Sequence, residues 1–279
     1  MAALRRRLAR RTALYLGVAV ICLVALFPSY WMLLTAIQNE KYHFTYPPYL
    51  IPQVIDLGAF VQLFQEKPMA AWLANTVTVS AGTTVLTFFL TVIGAYGLSR
   101  FKFWGRNACA FLILATQMLP EALLVIPVFV LFKQAMLIDN LGSLVLMDTA
   151  FAVPVTLWVL KGFFDTIPLE IEEAALVDGC SRMGVLWRVT LPLSLPALMA
   201  VSVIAFFDGW NEYLFASTLI TNQNHWVVTT GLASFIAWLT TPLEQVMAGA
   251  VTFVVPPVAF YLIMQRYIIS GLTGGAVKG

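Results

Sequence analysis

LKGFFDTIPLEIEEAALVDGCSRMGVLWRVTLPLSLPAL, residues 160–198, is a polar interruption in an otherwise oily chain. Pro168 stands where a first helical turn tolerates a missing amide. Glu170, Glu172 and Glu173 follow, where carboxylates favour the positive end of a helix. Gly179 is placed to stop that helix, because glycine accepts the left-handed conformation of a C-terminal cap. Ser181 is a cap for a second short helix, in which Met183, Leu186, Trp187 and Thr190 recur at three- and four-residue spacing and form one largely apolar face. Pro192 and Pro196 close the stretch and open the next apolar run. Two short helices with a glycine bend are therefore expected to project as an amphipathic knob. Helices that lie on lipid headgroups are usually rich in lysine and arginine. The first helix here carries three glutamates and an aspartate, so the knob reads as a grip for a soluble partner.

Outward from the knob the chain is apolar. Of its 279 residues, 60% are hydrophobic and 11% charged, against about 25% charged in soluble domains, and the mean hydropathy is +0.85. A crossing helix needs about 20 apolar residues, and six runs qualify: residues 14–37, 71–98, 107–132, 143–164, 192–219 and 246–268. The first follows five arginines and is too long for a cleaved leader, whose apolar core is about 7–15 residues. The expected fold is an all-α membrane protein of six transmembrane helices, organised as residues 1–13, a transmembrane domain at 14–268 with the knob loop at 165–191, and a tail at 269–279. Cytoplasmic loops collect lysine and arginine. Placing both termini inside puts 13 of the 16 cations there and leaves Lys41, Lys67 and Lys133 outside. A net charge of +2 gives no reason to expect nucleic acid.

Two long external loops follow from this orientation, residues 38–70 and 221–245, the second carrying Trp226 and Trp238. Their aromatics read equally as an interfacial belt or as a docking surface for an external protein. Prolines inside spans (Pro120, Pro127, Pro154, Pro256 and Pro257) kink helices. Cys22, Cys109 and Cys180 have neither metal nor disulfide spacing, and His43 and His225 stand isolated in polar loops, so no metal site and no catalytic residues are expected. Polar side chains inside spans face a cavity or a partner. Gln117, Glu121, Asp208, Asn211 and Glu212 are the candidates for a substrate path, and Asp148 lies near the external end of the fourth span. Hydrogen bonding to a substrate and holding two subunits together are equal readings of them.

Glu173-Ala174-Ala175, then Asp178-Gly179, then Leu191-Pro192 twelve residues on, resembles the EAA coupling loop of ABC importer permeases of the type I fold. Cys180 stands where alanine is usual and Trp187 where phenylalanine is frequent. The stretch Gly209-Trp210-Asn211-Glu212-Tyr213, Gln265-Arg266-Tyr267 and the terminal GLTGGAVKG are similar to the maltose- and trehalose-type carbohydrate importers, and the likeness runs from the first span to the last residue.

That resemblance implies a permease of a bacterial plasma membrane importer. Its partners would be a sister permease, two ATPase subunits, an extracytoplasmic solute-binding protein and a sugar. Glu173 would make a charged contact with an ATPase subunit, with Ala174, Ala175 and Gly179 allowing close approach and Asp178, Leu191 and Pro192 completing the motif. Gly274, Gly275, Lys278 and Gly279 would insert between the ATPase subunits. No Gly-x-x-x-x-Gly-Lys-Ser/Thr loop occurs in the chain, so ATP and magnesium are expected on the partner, with no cofactor and no catalysis here. A polyol or glycerol 3-phosphate is the alternative cargo. A secondary transporter is the rival class, although an internal repeat of the kind such proteins show is not evident.

Overall fold

The computed structural model describes residues 2–236 and 242–276. Over these residues the secondary structure is helical, apart from one isolated antiparallel bridge between Gln38 and Ile55. In chain order the helices are α1 (Ala2–Ile37), α2 (Gly58–Glu66), α3 (Met69–Arg100), α4 (Arg106–Ala115), α5 (Glu121–Gln134), α6 (Leu141–Asp165), α7 (Leu169–Val177), α8 (Arg182–Val185), α9 (Leu191–Leu193), α10 (Leu195–Trp210), α11 (Ala216–Leu219), α12 (Val228–Ala233) and α13 (Leu243–Ala276). Among the described residues, stretches of α1, α3, α6 and α13 are each long and apolar enough to cross a membrane, and two bent helix pairs bring the candidate spans to as many as six if each pair counts as one.

The bends correct two of the expected spans. The run 107–132 is not one helix. It turns through 98° between Met118 and Glu121, because a proline disfavours the helical conformation in the residue before it. Leu119 is extended, and Pro120 caps α5 with an extended backbone of its own. The run 192–219 also fails as a single helix. The chain turns through 85° at Ser194, whose amide and hydroxyl both fold back on the Thr190 carbonyl. Beyond it, α10 ends at Trp210. Asn211 and Glu212, expected inside that span, instead lie in the turn that follows it.

The chain divides into two compact units, Met1–Pro68 with Ser234–Val254, and Met69–Ala233 with Val255–Gly279. In the first, α2 buries Leu63 completely. His43, expected as an isolated loop histidine, is buried there. Its Nε2 lies 3.1 Å from the Thr35 carbonyl and 3.0 Å from that of Gln38, so this nitrogen carries the proton and donates.

In the second unit α3, α6 and α10 pack on one another. The buried face of α3 is a stripe of hydroxyls, Thr76, Ser80, Thr83, Thr87 and Thr91, recurring every three or four residues. Between helices in lipid, small and hydroxylated residues permit close approach and supply hydrogen bonds. The Thr91 and Thr156 hydroxyls meet at 2.8 Å across α3 and α6, and a Cβ on Gly209 of α10 would fall 2.9 Å from the Ser80 Cα. Apolar packing closes the lower part around Tyr96, Leu160, Phe164, Leu186 and Leu198.

Candidate functional site

The break between α4 and α5, the first half of α6 and the C-terminal end of α10 with the turn after it line a cavity of about 520 Å³. Gln117 sits in the 3-10 turn that ends the α4 segment, and Glu121 is the first residue of α5. Its carboxylate there is favoured by the helix dipole. Asp208 lies in the last turn of α10 and Asn211 caps that helix. A carboxylate at a helix C-terminus opposes the dipole, so Asp208 is not placed for helix stability. Glu212 is buried and its Oε1 accepts from the amides of Phe215 (2.6 Å) and Ala216 (3.0 Å), which start α11. The structure therefore brings the five candidate polar residues to one cavity, although they come from four places: the 3-10 turn after α4, α5, α10 and the turn after α10.

Asp148 on α6 joins them. It is 4% exposed and receives a 3.5 Å hydrogen bond from Thr83 Oγ1. Aromatic walls come from Phe151, Phe207 and Tyr213, and Phe151 stacks on Phe215 at 5.6 Å. Gln117 Nε2 donates to the Phe151 carbonyl at 2.6 Å. Four carboxylates thus line the cavity, and among the described residues that line it there is no lysine, arginine or histidine. Amides, carboxylates and aromatic faces are the groups that bind a polyhydroxylated solute: the oxygens accept from hydroxyls and the rings cover apolar faces.

The knob lies at the opposite end of α6. Pro168 precedes α7 as its N-terminal cap, Gly179 adopts φ +87° after its end, and the Ser181 hydroxyl accepts from the Gly184 amide at 3.1 Å. The second knob helix then passes through one π-helical turn, Leu186–Thr190, into α9. The single apolar face expected on it is split. Leu186 and Thr190 are buried, whereas Met183 and Trp187 are about half exposed, because the wider π turn swings the two pairs apart. Glu173, Ala174, Asp178 and Gly179 are exposed, Ala175 is half-buried, Leu191 is buried in the core and Pro192 is exposed.

Sequence reasoning missed Glu172, one residue before the motif. It is 5% exposed. Its carboxylate accepts from Arg100 Nε at 2.9 Å, from Thr190 Oγ1 at 2.9 Å and from Tyr96 OH at 3.5 Å. Three glutamates within four positions carried the signal, since they cannot all point to solvent on a helix lying against the spans. Gly274 and Gly275 fall in the last turns of α13, and Lys278 and Gly279 lie outside the described residues.

At the other end of the unit, loop residues 223–226 pack on the start of α3. Trp72 Nε1 donates to the Gln223 carbonyl at 2.9 Å, and the Asn75 amide donates to the carbonyls of Asn224 and Trp226 at 2.8 and 2.9 Å. Trp226 packs against Trp72 with ring centroids 6.0 Å apart. Trp226 is thereby a packing residue of α3, while Trp238 lies outside the described residues.

Known proteins share this architecture. The model of the family "Binding-protein-dependent transport system inner membrane component" matches residues 88–274. The inner membrane ABC transporter permease protein YcjP of Escherichia coli is 33% identical over 99% of this chain and 100% of its own length. The trehalose/maltose transport system permease protein MalG of Thermococcus litoralis is 30% identical over 99% and 100% respectively. A solved bacterial ABC transporter involved in the import of the acidic polysaccharide alginate superposes with a TM-score of 0.80 at 25% identity, over 94% of this chain and 96% of that one. With the family model matching more than half of its length, the chain belongs to the binding-protein-dependent transport system inner membrane components, the multi-pass permease subunits of ABC transporters.

Proposed function

We propose that this chain is the non-catalytic permease subunit of a carbohydrate importer, and that it takes its driving force from separate ATPase subunits through the knob. The observation that carries this is one packed unit with a polar, aromatic-walled cavity near the start of α6 and an exposed knob at its end. Asp148 and Phe164 on that helix are sixteen residues apart, about 24 Å at 1.5 Å per residue. A solute site and a grip for a soluble motor are thus separated by most of a bilayer's hydrocarbon thickness.

Orientation is supported by charge. Arg100, Lys102, Arg106, Lys161, Arg182 and Arg188 gather at the knob end, as expected for the cytoplasmic side. The cavity then opens toward the outside, where a solute-binding protein would deliver cargo, and the remaining wall would come from a sister permease. Carbohydrate as cargo is supported by the trehalose/maltose relative and by the diacetylchitobiose uptake permease DasC of Streptomyces coelicolor, 30% identical over 94% of this chain and 95% of its own length. The cavity's carboxylates argue against an anionic cargo such as glycerol 3-phosphate.

On the knob, Glu173 with Ala174 presents a charge beside a surface without bulk. Half-exposed Met183 and Trp187 add apolar area. ATP and magnesium would be held by the partner. The test is reconstitution with the sister permease, the ATPase and the binding protein, comparing wild type with Glu173→Ala and Gly179→Pro. Removing one partner of a desolvated charge pair at an interface should lower ATPase co-purification and ATP-dependent uptake by roughly tenfold or more. Gly179→Pro demands a negative φ where +87° is needed and should have the same effect. Full uptake in both variants would sink the assignment.

A further inference from the structure

Among the described residues of the second unit, Arg100 and Glu172 form the best buried ion pair, their side chains 5% and 7% exposed. Arg100 is the last residue of α3, and its guanidinium spends its donors on four different neighbours. Nε binds Glu172 on α7, and Nη2 binds the Phe164 carbonyl at 2.8 Å and the Ile167 carbonyl at 3.3 Å, at the C-terminal end of α6. Nη1 reaches Ser99 Oγ at 2.9 Å, which in turn donates to Asp165 Oδ1 at 2.6 Å. Glu172 carries the connection onward to Thr190 in the π turn that leads into α9 and α10. A planar guanidinium is the group suited to such a fork; an ammonium cannot reproduce it.

The two glutamates on α7 are therefore divided in labour. Successive helical residues are about 100° apart, which turns Glu173 to the outside and Glu172 to the spans. A buried ion pair seldom adds much stability over an apolar replacement, so stability alone does not explain this one. What the pair does provide is a single hard junction among the ends of α3 and α6, the first knob helix and the root of α10. Those three long helices also carry or touch the cavity.

We propose that the Arg100–Glu172 junction, with Thr190 and Tyr96, is the joint that makes the knob move as one body with α3, α6 and α10. A push on the knob is then delivered to the cavity and is not absorbed by bending at residues 165–169. Arg100 and Glu172 are positioning residues. The inference rests on the coupling role proposed for the knob, and it predicts a defect different from that of Glu173→Ala.

The complete reconstituted transporter is compared as wild type, Glu172→Ala, Arg100→Ala and the milder Glu172→Gln and Arg100→Lys. Two quantities are measured per assembled complex: ATP hydrolysed and labelled sugar taken up. The variants are expected to retain the ATPase subunits and to hydrolyse ATP, while uptake per ATP falls by about tenfold for the alanine variants, within the usual range of coupling between sites, and less for the milder pair. A purely structural role would lower hydrolysis and uptake together and leave their ratio unchanged. An unchanged ratio in the assembled alanine variants overturns the joint. If those fail to assemble, the ratio in Glu172→Gln and Arg100→Lys decides in the same way, and loss of assembly in all four assigns the pair to folding and also overturns it. Failure of the wild-type chain to retain any ATPase would instead overturn the coupling role itself.

Discussion

Asp139 shows how much one side chain can organise outside the membrane segments. It takes a positive φ of 58°, a conformation aspartate tolerates better than most residues. Its carboxylate accepts from the Thr221 hydroxyl at 2.5 Å, the Thr221 amide at 2.6 Å and the Asn222 amide at 2.8 Å. The hydroxyl bond from Thr221, followed by the amide of Asn222, holds its pKa below the ordinary 3.8. A carboxyl depressed on folding adds stability above the unfolded value, and that stability is lost as pH falls through the folded one. Amides of residues 221–226, corrected for intrinsic rate, should therefore exchange slowly at neutral pH and lose protection only below about pH 4. In Asp139→Asn they should exchange faster at neutral pH, with no acid transition of their own; identical profiles would refute the role. Nothing local in the sequence marked Asp139, because its partners lie more than 80 positions away. Gly179 and Ser181 were legible, since a cap needs only its own neighbours. Glu172 was not, since spacing alone does not say which of three glutamates faces inward.

Elements were legible as far as apolar length decides them. Four of the six expected spans are single long apolar helices, yet the runs carry no information on direction, so the turns of 98° and 85° inside the other two escaped. Pro120 and Pro196 were visible, but proline is tolerated inside membrane helices when other groups satisfy the freed carbonyls, and the sequence does not say whether a helix will kink or turn back. The hydroxyl stripe on α3 was open to discovery at its three- and four-residue spacing. Apolar periodicity misses it, because in lipid the packed face is the polar and small one. A close backbone approach in that packing is at Gly209 on α10, where a Cβ would lie 2.9 Å from the Ser80 Cα and 3.1 Å from Thr83 Oγ1. A backbone atom cannot be moved aside as a flexible side chain can. Gly209→Ala should therefore destabilise the purified protein by about 1–3 kcal/mol, the cost of overpacking a filled interface, seen as a lower thermal midpoint in detergent. An unchanged midpoint would mean that α10 and α3 do not approach as closely as described.

At the scale of the whole molecule, the solute path proposed above can be tested through the charge in the cavity. Glu121, Asp148, Asp208 and Glu212 come from α5, α6, α10 and the turn after α10, so the negative character is built by the fold and not by one acidic stretch. Two like charges about 4 Å apart cost roughly 1 kcal/mol in water and about 4 kcal/mol near a protein surface. An anionic sugar entering this space meets whatever charge these carboxyls carry, whereas the hydroxyls of a neutral one find hydrogen-bonding partners. The related solved transporter is involved in the import of the acidic polysaccharide alginate, and the path proposed for this chain predicts the opposite preference. Proteoliposomes holding the complete importer should take up a neutral oligosaccharide at least about tenfold faster than a uronic-acid oligosaccharide of equal length, each supplied at saturating concentration, the ratio expected from about 1.4 kcal/mol. Both Glu121→Gln and Asp208→Asn remove a charge and keep the shape, and each should narrow that ratio by speeding the acidic sugar while leaving the neutral one little changed. The neutral solute serves as the internal control, because a damaged fold would slow both. Equal rates for the two sugars in the wild type, or a ratio insensitive to both substitutions, would remove the cavity from the path of the solute and leave its four carboxylates to hold subunits together.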